Sequence, residues 1–191
     1  MRRNFITVVS GLPRSGTSLM MQMLAAGGIP PLTDDLRTAD ENNPRGYLEF
    51  DRVKRLRQDA SWIDQAIGCA VKVVHLLLRE LPTDPRLHYR VLFMQRHLDE
   101  VLASQRAMLE REGKKPADNG VLARVYKSQL EQAEEWLAQQ SNFSVLRIDH
   151  RHLFDDGAAI CQQVNQFLGR DLDVAAMSKA IDPALYRQRI V

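Results

Sequence analysis

Four short apolar runs punctuate the chain, at residues 5–9 (FITVV), 69–75 (CAVKVVH), 89–95 (YRVLFMQ) and 143–148 (FSVLRI). Each is rich in β-branched or aromatic residues and lacks the polar alternation of a half-wet strand, which is how strands covered on both faces read. Between them, apolar positions recur at helical spacing. Residues 18–26 are rich in Leu, Met and Ala, and Val53, Leu56, Ala60, Ile63 and Ile67 keep a 3, 4, 3, 4 spacing. Leu98, Val101, Leu102, Met108 and Leu109 form another stripe, and so do Leu122, Tyr126, Leu130, Ala133 and Leu137. A last one, Ile160, Val164, Phe167 and Leu168, is closed by Gly169. Such stripes predict helices with one face on a core.

Parallel neighbours need crossover connections, so strands alternating with helices predict helices over both faces of the sheet. The expectation is an α/β fold: a three-layer, doubly wound domain spanning residues 1–191, with a mainly parallel sheet of four to five strands. Ligands of such sheets sit beyond the carboxyl ends of the strands. That directs attention to residues 11–18, to His75 and Arg96 with the residues after them, and to the chain from Asp149 on. The Pro-containing segment 27–47 and the segment 112–119 read as loops over that face.

Bulk properties narrow the class. With 45% hydrophobic and 26% charged residues over 191 positions, the chain reads as one ordinary globular domain. A net charge of +2 is too mild for a nucleic-acid partner, so any anion binding is local. Cys69 and Cys161 lack CxxC spacing and read as reduced thiols of a cytoplasmic protein. Arg2 and Arg3 before residues 5–9 imitate a signal peptide, but the apolar run is too short, and nothing approaches the ~20 apolar residues of a membrane span. Aromatic content of 6% argues against a stacked acceptor pocket, with Trp62, Tyr47 and Trp136 as the residues that would line one.

Residues 11–18, GLPRSGTS, follow the first predicted strand and open the first predicted helix. They nearly spell the phosphate-binding pattern G-x-x-x-x-G-K-[ST], which would make the fold P-loop NTPase-like. Gly11 and Gly16 allow a tight turn whose N–H groups and helix N-terminus converge on an anion. Thr17 stands where the lysine of nucleotide hydrolases would be, and the nearest cation is Arg14. Of the later strands only the last ends at an acid, Asp149, so equipment for cleaving a Mg-bound triphosphate is weak. Lys72, inside a strand that reads as buried, requires an anionic partner.

Pro13-Arg14-Ser15-Gly16-Thr17-Ser18 resembles the 5′-phosphosulfate loop P-[KR]-[ST]-G-T-[ST] of the sulfotransferase superfamily. Arg96 leaving the third strand and Ser104 eight residues on resemble that family's 3′-phosphate pair, a guanidinium fork completed by a hydroxyl. Asn43-Pro44-Arg45-Gly46-Tyr47-Leu48-Glu49 supports the likeness, which runs from residue 5 to about 150 and looks like that of small bacterial members.

The resemblance implies a PAPS-dependent transferase that uses 3′-phosphoadenosine 5′-phosphosulfate without a metal. Its donor would be held by Arg14, Ser15, Gly16, Thr17, Ser18, Arg96 and Ser104. The catalytic groups would be Arg14 and a base, either Glu49 or His75. The acceptor would be a small molecule or glycan-like compound bearing a hydroxyl or amine. The family's closing R-K-G-x-x-G segment is missing; Arg187 or Arg189 would have to substitute, or the tail is solvated basic surface. Two rivals stand beside this reading: a small-molecule or nucleotide kinase with a degenerate loop, and a nucleotide-binding module without turnover.

Overall fold

The computed structural model describes residues 5–34 and 36–189; Arg2, Arg3, Ile190 and Val191 lie outside it. Strands β1 (Phe5–Gly11), β2 (Ala70–Lys72), β3 (His88–Gln95) and β4 (Phe143–Asp149) form a sheet in the order β2-β1-β3-β4. Every ladder is parallel, with Thr7 opposite Ala70 on one side and Arg90 on the other, and Val91 opposite Val145.

The helices are α1 (Thr17–Ala26), α2 (Leu98–Arg111), α3 (Asn119–Ala138), α4 (His152–Asp155), α5 (Gly157–Leu168) and α6 (Val174–Lys179). They cover both sheet faces. Phe5, Val9, Leu92, Met94 and Ile148 point into a core shared with Met20, Met21 and Leu24 of α1 and with Ile160 and Val164 of α5. Ile6, Val8, Val91 and Phe93 point the other way, onto Trp62, Leu78 and Leu137. Burial on both faces is why these strands read as continuous apolar runs. The fold is the expected doubly wound α/β layer structure, with four strands among the described residues.

Two segments differ from expectation. The stripe from Val53 to Ile67 faces the core as predicted at Val53, Leu56 and Ile63, but the backbone makes two 3₁₀ turns, Asp51–Arg55 and Ile63–Ala66. Between them Asp59 accepts from the Ser61 N–H at 3.0 Å and takes Arg52 at 2.7 Å, and such local side-chain bonds displace helical ones. The second strand ends at Lys72, and His75–Glu80 forms a 3₁₀ turn in place of further strand. Among the described residues no helix is long and apolar enough to cross a membrane. Both cysteines are free thiols, Cys161 buried and Cys69 half-buried.

Candidate active site

The carboxyl ends of β1, β2 and β3 open on a cleft of about 410 Å³. Its floor is the turn from β1 into α1. Gly11 has φ +145°, and a Cβ there would lie 2.6 Å from the Met94 carbonyl; Gly16 has φ +101°, and a Cβ would lie 2.5 Å from Cδ2 of His150. Both glycines are therefore dictated by backbone conformation and by close neighbours. Ser15 is buried and its hydroxyl donates to the Leu12 carbonyl at 2.7 Å, so its side chain shapes the turn and does not reach the cleft. No side chain caps α1, which leaves the first N–H groups of a ten-residue helix facing the cleft beside Thr17 and Ser18.

Arg14 sits in the left-handed region at φ 68°, a costly place for a non-glycine residue. Its side chain is held by Nε donating to Oγ of Ser104 at 3.0 Å and Nη2 donating to the Asn42 carbonyl at 3.3 Å. Burial lowers the Arg14 pKa, with Tyr47 opposing that and Arg96 and Arg111 adding to it. A half-buried cation among other cations is set up to receive an anion.

Lys72, at the end of β2, donates to Oγ of Ser18 at 2.9 Å, to the Tyr47 carbonyl at 3.0 Å and to Oε1 of Glu49 at 3.2 Å. The partner required by a lysine in a buried strand is thus present. Burial lowers the Lys72 pKa, and Glu49 opposes the shift. Glu49 also takes Arg37, whose guanidinium lies 3.4 Å from the Tyr47 ring centroid. Arg14, Lys72 and Glu49 all line the same cleft.

Arg96 leaves β3 with all three nitrogens engaged. Nε donates to Glu100 at 2.9 Å, Nη1 to the Arg14 carbonyl at 3.0 Å and Nη2 to the Gln188 carbonyl at 2.7 Å. Glu100 is 4% exposed and also accepts from the Tyr186 hydroxyl at 2.8 Å. The segment after α6 thus crosses to the cleft: Leu185, Arg187 and Gln188 line it, and Arg187 donates to the Glu41 carbonyl at 3.1 Å. Arg189 lies over the Tyr186 ring, 4.4 Å from its centroid.

Of the two candidate bases, Glu49 lines the cleft and His75 does not. His75 is 3% exposed, with Nδ1 against the Gly11 carbonyl at 3.2 Å and Nε2 against Oε1 of Gln129 at 3.0 Å; burial lowers its pKa, the two hydrogen bonds opposing. A histidine absent from the sequence-based set stands closer. His150 directly follows β4, lines the cleft and packs on Gly16, and its buried Nδ1 has no partner. Burial, then the charge of Arg96, pushes its pKa down to about 3, so it is neutral at ordinary pH. Its place after a strand end is the signal that marks it; a lone histidine carries none by itself. Among the described residues, segment 112–119 gives the cleft no lining side chain, Trp62 is in the core, and Trp136 packs on Phe143; of the three aromatic candidates only Tyr47 lines the cleft. No group of three or more His, Cys, Asp or Glu side chains clusters to hold a metal among the described residues.

No protein-family model and no curated protein matches the sequence. Among solved structures, the sulfotransferase domain of the Synechococcus PCC 7002 olefin synthase is similar over 100% of this chain and 90% of its own, at TM-score 0.55 and 17% identity. A sulfotransferase from Alicyclobacillus acidocaldarius aligns over 96% and 88%, at 0.54 and 13%. The sulfotransferase domain of the curacin biosynthetic pathway aligns over 100% and 80%, at 0.52 and 15%. Identities this low speak to architecture alone, and on that evidence the chain has the sulfotransferase fold.

Proposed function

We propose that this chain moves a sulfuryl group from 3′-phosphoadenosine 5′-phosphosulfate to a hydroxyl or amine of a small acceptor in the cytoplasm. One observation carries the reading: Arg14, Lys72, the hydroxyls of Thr17 and Ser18 and the uncapped start of α1 converge beside Glu49 in one cleft. Thr17, in place of a lysine, disfavours a kinase. The residues fit the donor well at its 5′ end, where the loop is bare backbone and cation. At the 3′ end the fit requires the Gln188 carbonyl to yield Arg96 to a phosphate, while Ser104 and Arg14 stay beside it.

The donor supplies an activated S–O bond to a phosphate that leaves readily. Arg14, Lys72 and the α1 N–H groups balance charge on that phosphate, an electrostatic role needing no covalent work from the protein. Glu49 accepts the proton of the acceptor as its oxygen or nitrogen bonds to sulfur and the electron pair of the breaking bond passes to the phosphate. Lys72 holds Glu49 in place through Oε1. His75, with both ring nitrogens occupied below the loop, supports the Gly11 carbonyl. Calorimetric titration tests the donor assignment: adenosine 3′,5′-bisphosphate should bind and ATP with magnesium should not, and the reverse would replace this reading with a kinase.

A nucleotide-binding module without turnover is the second reading. The Gln188 carbonyl on Arg96 and the two cations on Glu49 favour it. A sulfate-transfer assay over many acceptors separates the two, since both readings bind the bisphosphate.

A further inference from the structure

Among the described residues, Glu49 is the one carboxylate lining the cleft, and the other charged side chains there are arginines and lysines. The proposed donor engages Arg14, Lys72 and Arg96. Arg37 and Lys54 are left at the Glu49 end, with side chains 45% and 66% exposed.

Arg37 covers Glu49 from the solvent side. Lys72, whose side chain is 13% exposed, holds Oε1 from within at 3.2 Å, while Nη1 of Arg37 reaches both oxygens, at 3.2 and 3.3 Å. Oε2 therefore has Arg37 as its one hydrogen-bond donor among the described residues. The backbone nearby is pinned: the Thr33 hydroxyl donates to the Glu49 carbonyl at 3.0 Å, and the Asp51 N–H donates to the Asp34 carboxylate at 2.6 Å.

The guanidinium has unused donors. It stacks on the Tyr47 ring, which leaves its N–H edge outward, and Nε and Nη2 donate to nothing among the described residues. The neighbouring carboxylates are engaged elsewhere: Asp40 with the Tyr47 hydroxyl and two backbone N–H groups, Asp34 with the N–H groups of Leu36 and Asp51. Lys54 pairs with Asp51 at 2.6 Å on an exposed turn. Exposed ion pairs of this kind contribute little and open readily. A neutral alcohol approaching Glu49 offers Arg37 nothing better than the carboxylate it already holds. An alcohol with its own oxyanion exchanges one charged partner for another and uncovers Oε2 as it binds.

We infer that the acceptor is an anionic hydroxy compound whose carboxylate or phosphate is taken by Arg37 and Lys54, which sets its hydroxyl at Oε2 of Glu49. The proton passes to Oε2, the hydroxyl oxygen bonds to sulfur, and the electron pair of the breaking S–O bond leaves with the donor phosphate. Arg37 is thus both the reader of acceptor charge and the cover that keeps Glu49 occupied until such an acceptor arrives. This names the acceptor class and rests on the sulfuryl-transfer reading for the role of Glu49.

The test is calorimetric, on protein saturated with adenosine 3′,5′-bisphosphate, with two matched pairs as probes: 4-hydroxybenzoate against 4-hydroxybenzyl alcohol, and glycerol 3-phosphate against glycerol. In at least one pair the anionic member should bind about tenfold or more tighter than the neutral one, and that pair tells which oxyanion is read. Arg37→Gln should bring its two members within about twofold, and Arg37→Lys should restore part of the gap, with bisphosphate affinity unchanged in both variants. Anionic members that bind no better than neutral ones, or a preference that survives Arg37→Gln, overturn the inference. If the bisphosphate itself fails to bind, the donor reading falls, while the same pairs on the nucleotide-free protein, compared with Arg37→Gln, still decide whether Arg37 reads an oxyanion.

Discussion

The two ends of the cleft are made of different material. At the phosphate end the backbone does most of the work: a strand stops, two glycines turn, a helix starts uncapped, and the side chains that arrive there are already hydrogen-bonded. At the other end, residues 47–54 and 73–77 lie mostly outside strands and α-helices, and they bring a mixed set of side chains to the cleft, Glu49 and Lys54 beside Phe50, Val74 and Leu77. An anion site built from N–H groups and fixed cations tolerates little variation, because moving one atom breaks several bonds. A loop surface of mixed side chains tolerates more, and specificity can drift there while the chemistry stays.

The difference is sharpest in what single substitutions do. Glu49→Gln, at the junction of the two ends, should lower turnover on any accepted acceptor by about 10²–10⁴-fold while bisphosphate affinity holds, as read by steady-state rates beside calorimetry. Retained turnover would move the base elsewhere. Arg96→Ala comes next: its side chain is 8% exposed and pairs with Glu100 at 5%, so removing it takes the guanidinium partner from a buried carboxylate. A loss of about 3–5 kcal/mol in urea unfolding is expected, along with loss of bisphosphate binding. The double variant Arg96→Met with Glu100→Leu should regain stability and not binding, which separates the two roles of the arginine.

Arg14→Ala should weaken the bisphosphate by about 10–100-fold through loss of charged hydrogen bonds. Arg14→Gly should bind as poorly yet be more stable than the alanine variant by about 1 kcal/mol, since glycine relaxes at φ 68°. Equal stabilities would mean that the turn holds no strain there. The last prediction concerns acid. His150 is neutral in the folded chain down to about pH 3, against 6.5 when unfolded, so below 6.5 the unfolded state binds a proton that the folded state refuses. Stability should fall as pH drops from about 6.5 toward 3, with His75, also lowered by burial, adding in the same direction. Urea midpoints at pH 7 and pH 5 should converge in His150→Asn compared with the parent chain.

Much of the phosphate end was legible in the sequence. Residues 5–9 and the stripes of α1, α2, α3 and α5 announced their elements, and GLPRSGTS announced the turn, because its glycines are imposed by φ and by neighbours within 2.6 Å. Gly169 closes α5 in the left-handed conformation, as its place after the stripe implied. What could not be read depends on partners distant in sequence. His75 looked like a strand-end base, but the strand stops at Lys72 and the ring turns under Gly11. His150 packs on Gly16, 134 positions away, and only its place after a strand end hints at that. The 3₁₀ turns around Asp59 kept their apolar spacing while losing the helix, since periodicity reports which face is buried and not which hydrogen bonds hold the backbone.

The central strand β1 pairs in parallel with segments more than sixty and more than eighty residues downstream. Both flanks must return before the turn after Gly11 is held in shape, and closing such long loops makes assembly slow. On that ground the turn is expected among the late-forming contacts of the chain. A nucleotide bound as proposed would act as a brake on unfolding and contribute little to the speed of folding.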